Sequence, residues 1–227
     1  MRKALLLIIT AAIGLAALPA CVTVKPYRPT KLKTVHHEHA DFEQTIGDVT
    51  LRVKKFSHAD CYKIFDNRGK KLLTGSHGIQ PLQLSIENQS ATEWQLTEEN
   101  MSLDLASPAM VFRRLKKGNA LIFWPYIIGE AICFITFPIF WPISLFFLFD
   151  LPVGAALTGI RLGETNEQIR QDLVTKSFNG MLTIPSKKSV NTLIFVQKED
   201  SEDTFTVTLT NPITTTEKIT FTVALLN

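Results

Sequence analysis

The sequence predicts a mainly β chain: an antiparallel β-sandwich interrupted by a hydrophobic helical hairpin and carrying one short helix. Three observations predict it. Short alternations of apolar and polar residues recur at close spacing between 48 and 105, and they return between 181 and 223. Such alternation buries one face of a strand, and many short strands of this kind favour a sandwich. Between the two sets lies the run 119–160, in which only Glu130 and Asp150 are charged and which holds seven of the fifteen phenylalanines. A stretch that is apolar all round is buried in lipid or in protein.

The first residues carry Arg2 and Lys3, then an apolar core, then small residues before Cys21. That order marks residues 1–20 as a targeting segment. Its ending, Leu18-Pro19-Ala20-Cys21, resembles the lipobox of bacterial lipoproteins, with Pro19 where Ala, Ser or Thr is more usual. The resemblance implies cleavage before Cys21 and covalent lipid on its thiol. Val22 and Thr23 follow instead of an aspartate, which by the same resemblance implies the periplasmic face of the outer membrane in a Gram-negative cell. Several acyl chains would hold the protein stably where one is marginal.

Residues 21–45 read as a lipidated start and flexible tether, with prolines, several basic residues and no apolar period. His36, His37 and His39, with Glu38 and Asp41 nearby, are the metal-like cluster, since imidazole and carboxylate suit Zn or Cu. Adjacent ligands in a tether rarely close a site, so a solvated or pH-responsive patch is the competing reading. From 46 to 227 the chain reads as one domain interrupted by the insertion 119–162.

Its first strand is expected over 49–54, where Val49, Leu51 and Val53 share a face. Residues 61–65 and 70–73 read as a hairpin around Asp66-Asn67-Arg68-Gly69, with Cys61 in a strand. Leu82, Leu84 and Ile86 alternate strictly, Asn88-Gln89-Ser90 supplies a turn, Trp94 and Leu96 fill the core, and 101–105 alternates again. Arg113, Arg114, Lys116 and Lys117 then abut the hydrophobic run and suit anionic headgroups, at about 1 kcal/mol per charge near a membrane surface.

The run is roughly twice the length of about 20 residues that one crossing needs. Pro125, Pro138, Pro142 and Pro152 interrupt it, so a helix is expected over 120–137, a turn over 138–141, and a kinked second helix to Ile160. Trp124, Phe137, Phe140, Trp141, Phe146 and Phe147 are the expected contacts with membrane or partner. A short helix is then expected from about 165, capped by Thr165 or Asn166, with Ile169, Leu173 and Val174 buried. Strands return at 181–184, 190–196, 205–209 and 219–223, the last two as a hairpin with Thr on its wet side.

An early strand ending in Ile86-Glu87-Asn88, a later Thr192-Leu193-Ile194-Phe195-Val196 and a closing alternating pair are similar to small immunoglobulin-like accessory domains of bacterial surface proteins. If strands on both sides of the run share one body, its two ends lie on one side of any membrane.

No nucleophile elbow, phosphate loop or dinucleotide fingerprint occurs. Ser57, His58 and Asp60 are triad residue types but sequence neighbours. The formal net charge is +3, and loss of Arg2 and Lys3 with the leader brings it near balance, which argues against nucleic acid. Three cysteines make no disulfide framework. The leading expectation is a non-enzymatic, lipid-anchored envelope protein, an accessory in structure, assembly or transport, whose partners are membrane lipid and an envelope protein. The first alternative is a binder of lipid or another apolar ligand; the second is a metal-binding periplasmic lipoprotein.

Overall fold

The computed structural model describes residues 26–75, 78–116, 141–198, 204–214 and 216–225, with backbone alone for 141–155. Within them the chain is mainly β, with two four-stranded antiparallel sheets and a few helices. The strands are β1 (Phe42–Ile46), β2 (Val49–Lys55), β3 (Ile79–Asn88), β4 (Trp94–Thr97), β5 (Met181–Ile184), β6 (Lys188–Gln197), β7 (Thr204–Thr210) and β8 (Lys218–Ala224). The first sheet has the order β1-β2-β3-β6 and the second β5-β4-β7-β8. Each sheet therefore combines strands from before and after the hydrophobic run.

Period-two alternation explains the core. Val49, Leu51 and Val53 of β2, with Leu82, Leu84 and Ile86 of β3, point to the same apolar cluster as Phe205, Val207 and Leu209 of β7 and Phe221 and Val223 of β8. The threonines between the last five face outward, and the Thr208 and Thr220 hydroxyls bond across the hairpin at 3.1 Å. Where 101–105 was expected to form a strand, the chain makes two single bridges. Met101 pairs with Val207 in one sheet and Leu105 with Val196 in the other.

The expected hairpin over 61–73 is helical. Helix α1 (His58–Phe65) leads into a 3-10 helix (Asp66–Lys71). Ser57 accepts from the Asp60 amide while Asp60 accepts from the Ser57 amide, a capping box that satisfies the first orphan donors. Cys61 and Phe65, four apart, are both buried while Lys63 between them is exposed, as a helix places them and a strand would not. Gly69 then lies so close to α1 that an added Cβ would come 2.2 Å from the Cys61 carbonyl oxygen.

A second helix, α2 (Pro108–Leu115), precedes the run, and α3 (Trp141–Lys176) leaves it. The expected break at 160 and cap at Thr165 are absent, so "one short helix" undercounts. Thr158, Leu162, Thr165, Ile169, Leu173 and Lys176 are all buried, and their spacing of three and four residues continues one stripe through the supposed boundary. Pro142 and Pro152 both fall within α3. The arm over 120–137 and the turn over 138–141 lie outside the described residues, apart from the backbone of Trp141.

The chain divides into two compact units: Met1–Tyr27 with Lys117–Gln168, and Arg28–Lys116 with Ile169–Asn227. The second holds both sheets. On its first sheet, Leu193 and Phe195 alternate with the core residues Ile194 and Val196 and so face the other side of β6. There Phe65 of α1 meets Phe195, ring centroids 6.2 Å apart, and α2 packs on the 3-10 helix.

Candidate membrane-facing surface

Helix α2 is built by local rules. Ser107 accepts from the Met110 amide at 3.3 Å, and Pro108 occupies the first turn, where its fixed φ suits a helix start. Val111 and Leu115, four apart, are fully buried. Arg113 and Arg114 stand in the last turn, where cations meet the negative end of the helix dipole. Arg113 and Lys116 are exposed, Arg114 is half-buried, and Met110 is 39% exposed. The Lys116 amide closes the helix by donating to the Phe112 carbonyl at 2.8 Å. Three of the four basic residues read from the sequence thus sit at one helix end; Lys117 lies outside the described residues.

So do Cys21, Trp124, Phe137 and Phe140. Trp141, Phe146 and Phe147 lie within α3, described as backbone. Further along the same helix, Leu157 and Ile160 are 51% and 59% exposed, opposite the buried stripe. Among the described residues no helix is long and apolar enough to cross a membrane.

The histidines do not converge. His37–His39 form a single 3-10 turn, which sends successive side chains about 120° apart, and the His37 ring bonds the Glu43 carboxylate of β1. Among the described residues no group of three or more His, Cys, Asp or Glu is placed to hold a metal ion. Nor is the preceding stretch a free tether up to 45. The Gln83 amide donates to the Lys33 carbonyl at 2.6 Å, Asn191 donates to the Thr34 hydroxyl at 3.2 Å, and Val35 is 4% exposed. Residues 33–35 therefore strap the polar side of the first sheet, and β1 begins at Phe42.

Charge on that sheet is paired across strands. Arg52 donates to Glu43 at 3.1 Å and to Glu87 at 2.9 Å. The His37 bond, ahead of Arg52, holds the Glu43 carboxyl below its usual range, and the Gln89 amide with Arg52 does the same for Glu87. Asp60 is also lowered: burial pushes it up, but the Ser57 hydroxyl and the Lys54 ammonium at 2.9 Å outweigh that. Ser57 and Asp60 thus form the cap of α1, and Asp60 also pairs with Lys54. The Cys61 thiol, pushed up to about 12 chiefly by burial, stays protonated at neutral pH.

Helices α1 and α2 and the strap are not among the elements expected from the sequence. Ser57-x-x-Asp60 was a legible helix start, and Ser107-Pro108 another. For the strap no such signal exists, because Gln83 and Ser85 alternate with Leu82, Leu84 and Ile86 as solvent-facing residues would. No family model, no curated protein and no solved structure matches this chain.

Proposed function

We propose that the protein is a non-enzymatic envelope lipoprotein, fastened through Cys21, in which the 119–160 run engages a bilayer or a membrane partner. We read the two sheets as an immunoglobulin-like sandwich, since their apolar sides supply one core, and the run as a helical hairpin inserted in it. The observation that carries the reading is the join between body and run. The basic residues Arg113, Arg114 and Lys116 close α2 at the point where the chain passes into the apolar run.

Interleaving supports a same-side excursion. β3 pairs with β6 over ten residues and β4 with β5 over four, each pair drawn from opposite sides of the run. A body so woven cannot be divided between two faces of a membrane, so the run dips in and returns. Its backbone groups must then be satisfied within the excursion. The strap shortens the tether: about a dozen residues separate Cys21 from Lys33, reaching at most roughly 40 Å when extended. The sheet-bearing unit would then stay close to its anchor.

Replacement of Cys21 with Ser tests the anchor. Loss of lipid labelling, with release of part of the membrane pool, is the expected result; unchanged labelling and fractionation would remove the anchor. Quenching of Trp124 and Trp141 fluorescence by lipids brominated at graded depth tests the excursion, and quenching at no depth would place those rings inside protein.

A further inference from the structure

We infer that α1, the 3-10 helix Asp66–Lys71 and α2 form one footing for an anionic bilayer surface, in which Tyr62, Lys63, Lys70 and Lys71 extend the basic block of α2. The inference rests on the membrane reading above and deepens it by naming the face and the lipid charge.

The geometry comes from what each helix buries. α1 turns Cys61 and Phe65 inward, and α2 does the same with Val111 and Leu115. What remains outward is Tyr62, 45% exposed, and the exposed Lys63, Lys70, Lys71, Arg113 and Lys116, with Met110 among them. The two acidic residues of the layer are already committed: Asp60 to Lys54 of β2 at 2.9 Å, and Asp66 to Arg68 at 3.4 Å. The outward charge is therefore of one sign.

Complementarity points to anionic headgroups, because clustered lysines and arginines gain from a negative leaflet within a Debye length. Tyr62 adds an amphipathic ring, and the Lys70 ammonium lies over it, 5.5 Å from the centroid. An aromatic beside cations suits the interfacial zone, where one end is apolar and the other wet. Continuity supplies the second argument. The chain passes from Lys116 of this layer, through Lys117 and Gly118, into the apolar run, so α2 adjoins that run in sequence.

The test uses the full chain reconstituted in vesicles of phosphatidylcholine alone, or of roughly three parts phosphatidylcholine to one of phosphatidylglycerol. Flotation is followed by acetylation of lysines and mass spectrometry. Lys63, Lys70, Lys71 and Lys116 should lose reactivity about threefold or more in the anionic vesicles and regain it in 1 M salt, where the Debye length is about 3 Å. Lys188 and Lys218 are the exposed controls and should not change; Lys188 lies about 23 Å along β6 from Phe195 at the strand rise of 3.3 Å per residue. In the triple variant K63E/K70E/K71E, Lys116 should also lose its protection.

Protein that floats with equal lysine reactivity in both vesicle types overturns the inference and leaves the membrane reading intact. So does protection that appears in phosphatidylcholine alone. Protein that fails to float in either removes this inference and the bilayer arm of the reading above, leaving a membrane partner as what the run engages.

Discussion

Asn88 shows how much a single side chain can organise in this protein. It is 1% exposed, its amide donates to the Thr92 and Pro185 carbonyls at 2.8 and 3.1 Å and leans on that of Ile184 at 3.3 Å, and its oxygen accepts from Ser90. One residue thus ties the end of β3 to the turn before β4 and to the end of β5. Asn88→Ala leaves those carbonyls without their donor, and a loss of about 1–3 kcal/mol is expected in urea unfolding. Gly69 makes the opposite case, in which any side chain is too much. Gly69→Ala drives a Cβ toward the Cys61 carbonyl, and since backbone on both sides must move, a cost of about 1–3 kcal/mol is expected by the same measurement. A variant as stable as the parent at either position would contradict the packing described. Asn88 was legible as a turn residue, whereas its reach to β5, across the length of the hydrophobic run, was not.

At the scale of elements, the outer side of the first sheet is covered in part by α1, where Phe65 meets Phe195, and is held in part by charge. Glu43 of β1, Arg52 of β2 and Glu87 of β3 form a ladder across three strands. Both carboxyls have folded pKa values below the unfolded value of about 4.3. Depressed carboxylates contribute stability that is fully present above the unfolded value and is lost as pH falls through the folded one. The thermal midpoint should therefore be level from neutral pH to about 5 and fall below about 4. Arg52→Met should flatten that acid limb, and parallel curves for parent and variant would show that the ladder does not couple to folding. The helical elements respond to a different deletion. Ser57→Ala removes the acceptor of the α1 cap and should cost about 1 kcal/mol, read in urea. The alternations behind β2, β3, β7 and β8 were readable because period two is enforced wherever one face is dry. The letters of α1 suggest a strand because its apolar residues are few and the Gly69 turn mimics a hairpin, although its capping box is present in them.

The whole molecule is organised by pairing across the hydrophobic run. β3·β6 and β4·β5 join segments separated in sequence by the entire insertion. A protease site placed after Lys117, cut in detergent, should leave two fragments that co-elute on gel filtration and separate only in denaturant. Fragments that part under native conditions would contradict the interleaved sheets. The alternating strands, the β class, the basic block before the run and the apolar character of 119–160 were all determined by the sequence itself, because periodicity, charge and hydrophobicity are local properties that each segment carries alone. The strap at 33–35, the burial of Gln83 and Ser85 beneath it, the single unbroken α3 and the meeting of Phe65 with Phe195 were decided only by tertiary structure. Each depends on which distant surface arrives to cover a residue, and no neighbouring letter records that.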